Sequence, residues 1–219
     1  MIIHDILFDD ISARYDLGLH LTEMIIGSPK PRRTLVTVPG ANGSLDLTNA
    51  ISPYIQYDDR KLEFKFVILN ERKNWSDVIS QLTDIFHGQK YKVITGDDPD
   101  WYWDAYVEVD TFASTPKKGE IVLAATCYPY KRKIAQTTKT VTLTAGTNTI
   151  NLANSRMEVT PKIINTAAVV ITEWNGAAVS IALAAGTHTL ADHVLESGAN
   201  VIKMTGTGTV TIEYQEGKL

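Results

Sequence analysis

The stretch RKLEFKFVIL, residues 60–69, alternates apolar and charged side chains along most of its length. The apolar positions share one parity and the charged positions share the other: Leu62, Phe64, Phe66 and Ile68 against Lys61, Glu63 and Lys65. Successive side chains of a strand point to opposite faces, so this period of two predicts a strand with one buried face. The first part of the chain is therefore expected to contain a β-sheet.

The segment that follows, NWSDVISQLTDIFHG at residues 74–88, changes to a helical period. Asn74 can cap the N-terminus of a helix, and Asp77 suits its first turn. The apolar residues at helical spacing are Val78, Leu82, Ile85 and Phe86, and Gly88 ends the pattern. This is the one long helix that the sequence predicts.

Upstream of residue 60, the stretch VTVPGANGSLDLT at residues 36–48 places a glycine-rich turn between two alternating segments. Asn42-Gly43 favours a hairpin because both residues tolerate positive φ, and Pro39-Gly40 also favours a turn. A phosphate-binding loop would need Gly-Lys-Ser/Thr and a helix after its glycines. A strand pattern follows here and lysine is absent, so Pro39, Gly40, Asn42 and Gly43 are interpreted as a structural turn motif.

Further strand candidates fill the rest of the chain. YKVIT, DAYVEVDTF and GEIVLAATCY follow the helix, with GDDPD marking a turn. The second half holds seven short strand patterns separated mostly by Gly or Asn: TVTLTAG, NTINL, TPKIINT, AVVITEWNG, VSIALAAG, ANVIKMTG and GTVTIEY. Seven short strands without a convincing helix favour a small antiparallel sandwich.

Composition divides the chain near Ala135. Residues 1–135 hold 16 of the 21 Lys and Arg and 19 of the 25 Asp and Glu, and they hold all the phenylalanines. Such a shift is a usual sign of a domain boundary. We expect a domain at 1–135, a second domain at 136–219, and a short polar linker at about 133–139.

The whole-chain composition excludes several classes of protein. Hydrophobic residues make up 44% and charged residues 21%, as in ordinary globular proteins. The net charge of −4 lacks the basic excess that tight nucleic-acid binding requires. No signal peptide or membrane-spanning run is expected, and the single Cys127 cannot form a disulfide within the chain.

Candidate chemical sites are weak. Among the histidines, His188 and His193 could meet Asp192 around a metal, although loop residues at this spacing are more often unrelated. Aspartates 97, 98, 100 and 104 surround Trp101–Trp103, which suits either a carboxylate and sugar site or a plain turn. Cys127 lies in an apolar strand, the usual setting of an inert thiol. We therefore predict no catalytic, metal-binding or cofactor-binding residues, and no cofactor.

Trp174 and Asn175 have two interpretations. Trp174 is the only tryptophan of the second half and is followed by Asn175-Gly176, a turn signal. The ring is either part of the core, as large aromatic side chains usually are, or an exposed surface on which a sugar stacks. Trp174 and Asn175 are thus candidate carbohydrate contacts.

Several motifs in order resemble the distal tail protein (Dit) family of long, non-contractile-tailed phages. They are Ser28-Pro29-Lys30-Pro31, the turn P-G-x-x-G-x-L-D at 39–46, the strand Y-x-x-R-x-L-x-F-x-F at 57–66, the helix with Trp75, and a C-x-P-Y ending at 127–130. Together they span residues 1–133. The second half is similar to the galectin-like or carbohydrate-module-like sandwich appended to many such proteins.

The resemblance implies a mainly β fold, with an N-terminal sandwich or split barrel carrying one helix and a C-terminal sandwich. It implies a baseplate hub at the tail tip of a siphophage virion, assembled in the host cytoplasm. Six copies would form a single or double ring around an open channel through which DNA passes unbound. Implied partners are the tail tube protein, a tail-tip lysin-like protein, baseplate or receptor-binding proteins and a host surface saccharide, with no membrane.

Two other functions stay open at this point. A carbohydrate-binding adhesin would act through the second half. A cell-wall hydrolase would use the acidic and aromatic cluster around Trp101–Trp103.

Overall fold

The computed structural model describes residues 5–40, 42–51, 54–69 and 74–219. The chain divides into two compact units, Met1–Pro129 and Tyr130–Leu219. Strands predominate in both units, so the predicted mainly β fold is confirmed. None of the helices in the described part of the chain is long and apolar enough to span a membrane.

The first unit contains nine strands and two helices among its described residues. They are β1 Ile6–Phe8, β2 Ile11–Ser12, β3 His20–Ile26, β4 Leu35–Thr37, β5 Ser44–Asp46, α1 Thr48–Ile51, β6 Arg60–Leu69, α2 Trp75–Phe86, β7 Gln89–Thr95, β8 Trp101–Ser114 and β9 Lys118–Cys127. An antiparallel sheet in the order β2-β1-β7-β8-β9-β6-β3 forms its body.

Strand β6 shows the alternation that its sequence predicts. Leu62, Phe64, Phe66 and Ile68 are buried, whereas the residues between them are partly or fully exposed. The rings of Phe8 and Phe64 meet edge to face at 6.1 Å, and Phe8 meets Phe86 of α2 at 4.7 Å. One face of the sheet and α2 therefore share an aromatic core.

Helix α2 matches the predicted helix. The side chain of Asn74 accepts a hydrogen bond from the backbone N–H of Ser76, as an N-cap does. Leu82 and Phe86 are buried, and Gly88 has a φ of +75° just beyond the helix. Trp75 lies against the sheet at Gly119, where an added Cβ would stand 2.7 Å from its ring.

Strands β4 and β5 form a separate two-stranded hairpin. Its base continues the pairing of β3 with β6, through a bridge between Pro31 and Tyr57 and a hydrogen bond from Asp58 N–H to the Lys30 carbonyl. We call residues 30–47 the arm. The hairpin predicted at this turn is confirmed; Ala41, within the turn, lies outside the described residues.

The second unit contains ten strands. They are β10 Lys131–Lys133, β11 Thr137–Leu143, β12 Thr147–Asn154, β13 Lys162–Asn165, β14 Val169–Trp174, β15 Ala177–Leu183, β16 Gly186–Thr189, β17 Gly198–Gly206, β18 Gly208–Tyr214 and β19 Gly217–Lys218. Two antiparallel sheets, β11-β18-β13-β16 and β12-β17-β14-β15, enclose a shared apolar core. The predicted sandwich is confirmed, and β10, β16 and β19 are strands that the sequence patterns missed.

The structure divides the chain earlier than composition suggests. The second unit begins at Tyr130, so residues 130–135 belong to it and not to the first domain. Lys131–Lys133, expected to adjoin or enter a linker, form β10 and pair with β19. The Lys133 ammonium also bonds the Glu216 carboxylate at 2.7 Å. A run of charged residues is typical of a linker, but here residues 217–218 supply the backbone partner that makes 131–133 a strand.

Candidate functional site

The arm is an amphipathic ribbon whose apolar face is not covered by the described part of the chain. Val36 and Leu45 are directly paired, and their parity places Val38 on the same face. The side chains of Val36, Val38 and Leu45 are 42%, 41% and 54% exposed. An isolated two-stranded hairpin is only marginally stable in water, and exposed apolar residues in a cluster mark an interaction site.

The turn at the tip of the arm owes its shape to its glycines. Gly40 and Gly43 have φ values of +82° and +78°, in the region that side chains with a Cβ rarely adopt. An added Cβ would meet no atom within 4 Å at either position, so backbone conformation, not space, requires glycine. Pro39 and Asn42 complete this exposed turn. Strand β5 follows it, and not the helix that a phosphate-binding loop requires.

Polar contacts hold the base of the arm. The Asp46 carboxylate accepts a hydrogen bond from Thr48 N–H at 2.9 Å, and hydrogen bonds from Thr48 lower the pKa of Asp46. The Thr48 hydroxyl accepts from Thr34 N–H at 2.9 Å. Arg32 Nε lies 2.6 Å from Asp58 Oδ1. The arm is therefore anchored at its base while both of its strands stay exposed.

Trp174 is a core residue. Only 6% of it is exposed, its indole N–H donates to the Val194 carbonyl at 2.9 Å, and its ring meets His193 edge to face at 5.2 Å. Asn175 adopts a φ of +48° in the turn after β14 and bonds Asn200. Of the two interpretations, core packing fits, and Trp174 offers no open ring face to a sugar.

The candidate metal and acidic clusters do not assemble into sites. His188 bonds the Ala184 carbonyl, while His193 packs against Trp174. Among the described residues, no group of three His, Cys, Asp or Glu side chains could hold a metal ion; His4 lies outside them. Trp101, Tyr102 and Trp103 are all buried in β8, so they provide no surface for a sugar beside the aspartates.

Cys127 is a buried thiol next to a buried arginine. Burial raises the pKa of Cys127 to about 12, although the charge of Arg60 lowers it in part. Its Sγ donates to the Arg60 carbonyl at 3.5 Å. At neutral pH this group is a protonated thiol and a poor nucleophile.

Comparison with known proteins assigns the fold. No family model matches the chain, and no curated protein matches it significantly. The chain superimposes with a TM-score of 0.71 on the crystal structure of the phage SPP1 Dit protein, described as a paradigm of the hub adsorption apparatus in phages that infect Gram-positive bacteria. The chain has the fold of a Dit protein.

The likeness covers 99% of this chain and 100% of the SPP1 protein at 15% identity. It thus extends over both units, whereas the sequence motifs spanned residues 1–133. The sequence predicts the hairpin at the Pro-Gly-x-x-Gly motif but not that the hairpin stands apart from the core. The exposed apolar face of this hairpin is therefore a functional feature that the sequence analysis lacks. The signal for it is the alternation of valine and leucine next to the basic residues Lys30, Arg32 and Arg33.

Proposed function

We propose that this protein is a phage distal tail protein, a structural hub that joins the tail tube to the baseplate and the host-recognition apparatus. The observation that carries the proposal is the fold shared with SPP1 Dit over nearly the whole chain. The protein would reside at the tail tip of the virion. Its role would be assembly and not catalysis, in keeping with an inert Cys127.

The hub would be a ring of six copies, singly or as a double ring. The arm supports this proposal because its exposed apolar face suits a partner, and so does strand β3, which pairs on one side only among the described residues. A cyclic ring joins one surface of each copy to a different surface of the next. Tail tube protein, a tail-tip lysin-like protein and baseplate or receptor-binding proteins would attach to this ring.

The charge of the chain suits a channel for DNA. Six copies at −4 give about −24 at pH 7, which would repel phosphate groups and let DNA pass without binding. A host saccharide could still be recognised elsewhere on the second unit, but not by stacking on Trp174.

The test is the mass of the purified protein. Light scattering should give about six times 24.2 kDa, roughly 145 kDa, or twice that for a double ring. Negative-stain images should show a central hole. Protein that stays monomeric at high micromolar concentration, and also when mixed with tail-tube and baseplate proteins, would overturn the hub and favour the carbohydrate-binding adhesin.

A further inference from the structure

A shallow acidic depression lies on the sheet face of the first unit opposite the aromatic core. Ile25, Glu63, Ala124 and Glu108 stand side by side on four adjacent strands, because Glu63 pairs with Ile25 and Ala124, and Ala124 pairs with Glu108. With Asp110 and Thr126 they line a depression of about 410 Å³. We call it the acidic groove. Its floor is low because β9 carries small residues between the longer side chains of β6 and β8.

The groove carries an excess of negative charge. Lys65 lies 2.7 Å from Glu23 and 3.5 Å from Glu63, so one lysine is shared by two carboxylates. Glu108 and Asp110 form no ion pair with any described residue, although Asp110 accepts a hydrogen bond from the Thr111 hydroxyl. Lys61 also lines the groove, so its lining holds three carboxylates, of Glu63, Glu108 and Asp110, against one ammonium, beside the apolar Ile25 and Ala124.

The arm carries the opposite charge. Lys30, Arg32 and Arg33 precede β4 and are exposed. Asp58 neutralises Arg32, whereas Arg33 forms no ion pair with any described residue. The charge of Arg33 does act on Asp46 of the same arm, but no ion pair with a described residue holds its guanidinium. The arm thus combines an exposed guanidinium with the apolar face of Val36 and Leu45, while the groove combines an excess of carboxylates with Ile25.

We propose that the arm of one copy lies in the acidic groove of the next copy, with Arg33 facing Glu108 and Asp110. The occupant is a second copy because the basic arm and the net acidic groove each carry exposed apolar residues, yet no described arm residue forms an ion pair or hydrogen bond with Glu108 or Asp110 within one chain. The contact joins two different surfaces, which is the type that closes a ring. This inference rests on the ring of the proposed function and names its interface.

Charge exchange tests the contact. Arg33→Glu and the double variant Glu108→Lys with Asp110→Lys should each require about tenfold or more protein to assemble, because like charges would face each other. The triple variant that combines both reversals should recover assembly. The ring should also weaken as salt is raised, since exposed pairs are screened. Lys139→Glu and Asp192→Lys in the second unit are the matched controls and should assemble normally.

Disulfide trapping gives a readout that does not depend on the energy of assembly. Arg33→Cys and Glu108→Cys proteins, mixed and oxidised, should form a covalent dimer that neither forms alone, and the buried Cys127 should not compete. Circular dichroism checks that every variant is folded.

The outcomes separate the two proposals. If the wild type forms a ring and both charge-reversal variants assemble at the same protein concentration as the wild type, the arm contact is overturned and the hub stays intact. The same holds if the two cysteine variants form no mixed disulfide. A triple variant that assembles no better than its parents also overturns it. A wild-type protein that never assembles overturns the hub itself.

Discussion

Replacing Glu216 with glutamine should weaken the second unit in a pH-dependent way. Glu216 Oε1 accepts hydrogen bonds from Lys133 Nζ and the Thr137 hydroxyl, and its Oε2 accepts from the Ser155 hydroxyl, each at 2.7 Å. Burial alone would raise the pKa of Glu216, but these hydrogen bonds outweigh it and hold the pKa at about 2. The carboxylate thus joins β10 and β11 to the end of the chain.

The magnitude follows from the pKa. Lowering it from the ordinary 4.5 to about 2 corresponds to about 3 kcal/mol of unfolding free energy. The Lys133 side chain is 34% exposed, so water screens part of this, and we expect a loss of about 2 kcal/mol at pH 7 in Glu216→Gln. Because the folded pKa is depressed, the contribution is fully present above pH 4.5 and is lost as pH falls towards 2.

The assay is urea unfolding of the full chain with hydrogen exchange read on the strands of the second unit. The gap between wild type and Glu216→Gln should close as pH falls from about 4.5 to about 2. Glu158→Gln is the control, since Glu158 has no hydrogen bond or ion pair among the described residues. Equal effects of the two substitutions at pH 7, or a gap that persists unchanged at low pH, would refute the reasoning.

Three further outcomes are expected. Trp174→Ala should cost the second unit about 3–5 kcal/mol in urea unfolding without changing any sugar binding measured by titration, as for other large core truncations; unchanged stability would contradict core packing. Gly119→Ala should cost about 1–3 kcal/mol because its Cβ would overlap the Trp75 ring, and the effect should shrink in a Trp75→Leu background. Limited trypsin digestion of the unassembled monomer should cut after the exposed Arg33 and spare 131–133, which lie in β10; early cleavage at 131–133 would argue against the β10–β19 pairing.

Several elements could be predicted from local patterns because each one's burial is periodic. The alternation at 60–69 identifies β6, and the spacing of Val78, Leu82 and Phe86 together with Asn74 identifies α2. Asn42-Gly43 between alternating segments identifies the hairpin. The order of these motifs also resembled the Dit family, and the fold of SPP1 Dit bears that resemblance out.

Strands β1, β2, β3, β10, β16 and β19 could not be predicted. They are short or lack a clean alternation, as in the mostly exposed His20–Ile26, and most of them pair with a strand that is distant along the chain. Such strands exist because a distant partner supplies the hydrogen bonds, as β7 does for β1. A pattern within a few consecutive residues does not show which distant strand will pair with them.

The sequence by itself determined the class of fold, the principal strand and helix and the turn at 39–43, because periodicity and turn chemistry are local. Only the tertiary structure decided that Trp174 is buried, that 131–133 pair with the chain end, and that the arm stands apart from the core. It alone placed Glu63, Ala124 and Glu108 in one row. Burial and charge juxtaposition depend on which strands pair, and pairing is set by contacts between residues far apart in the chain.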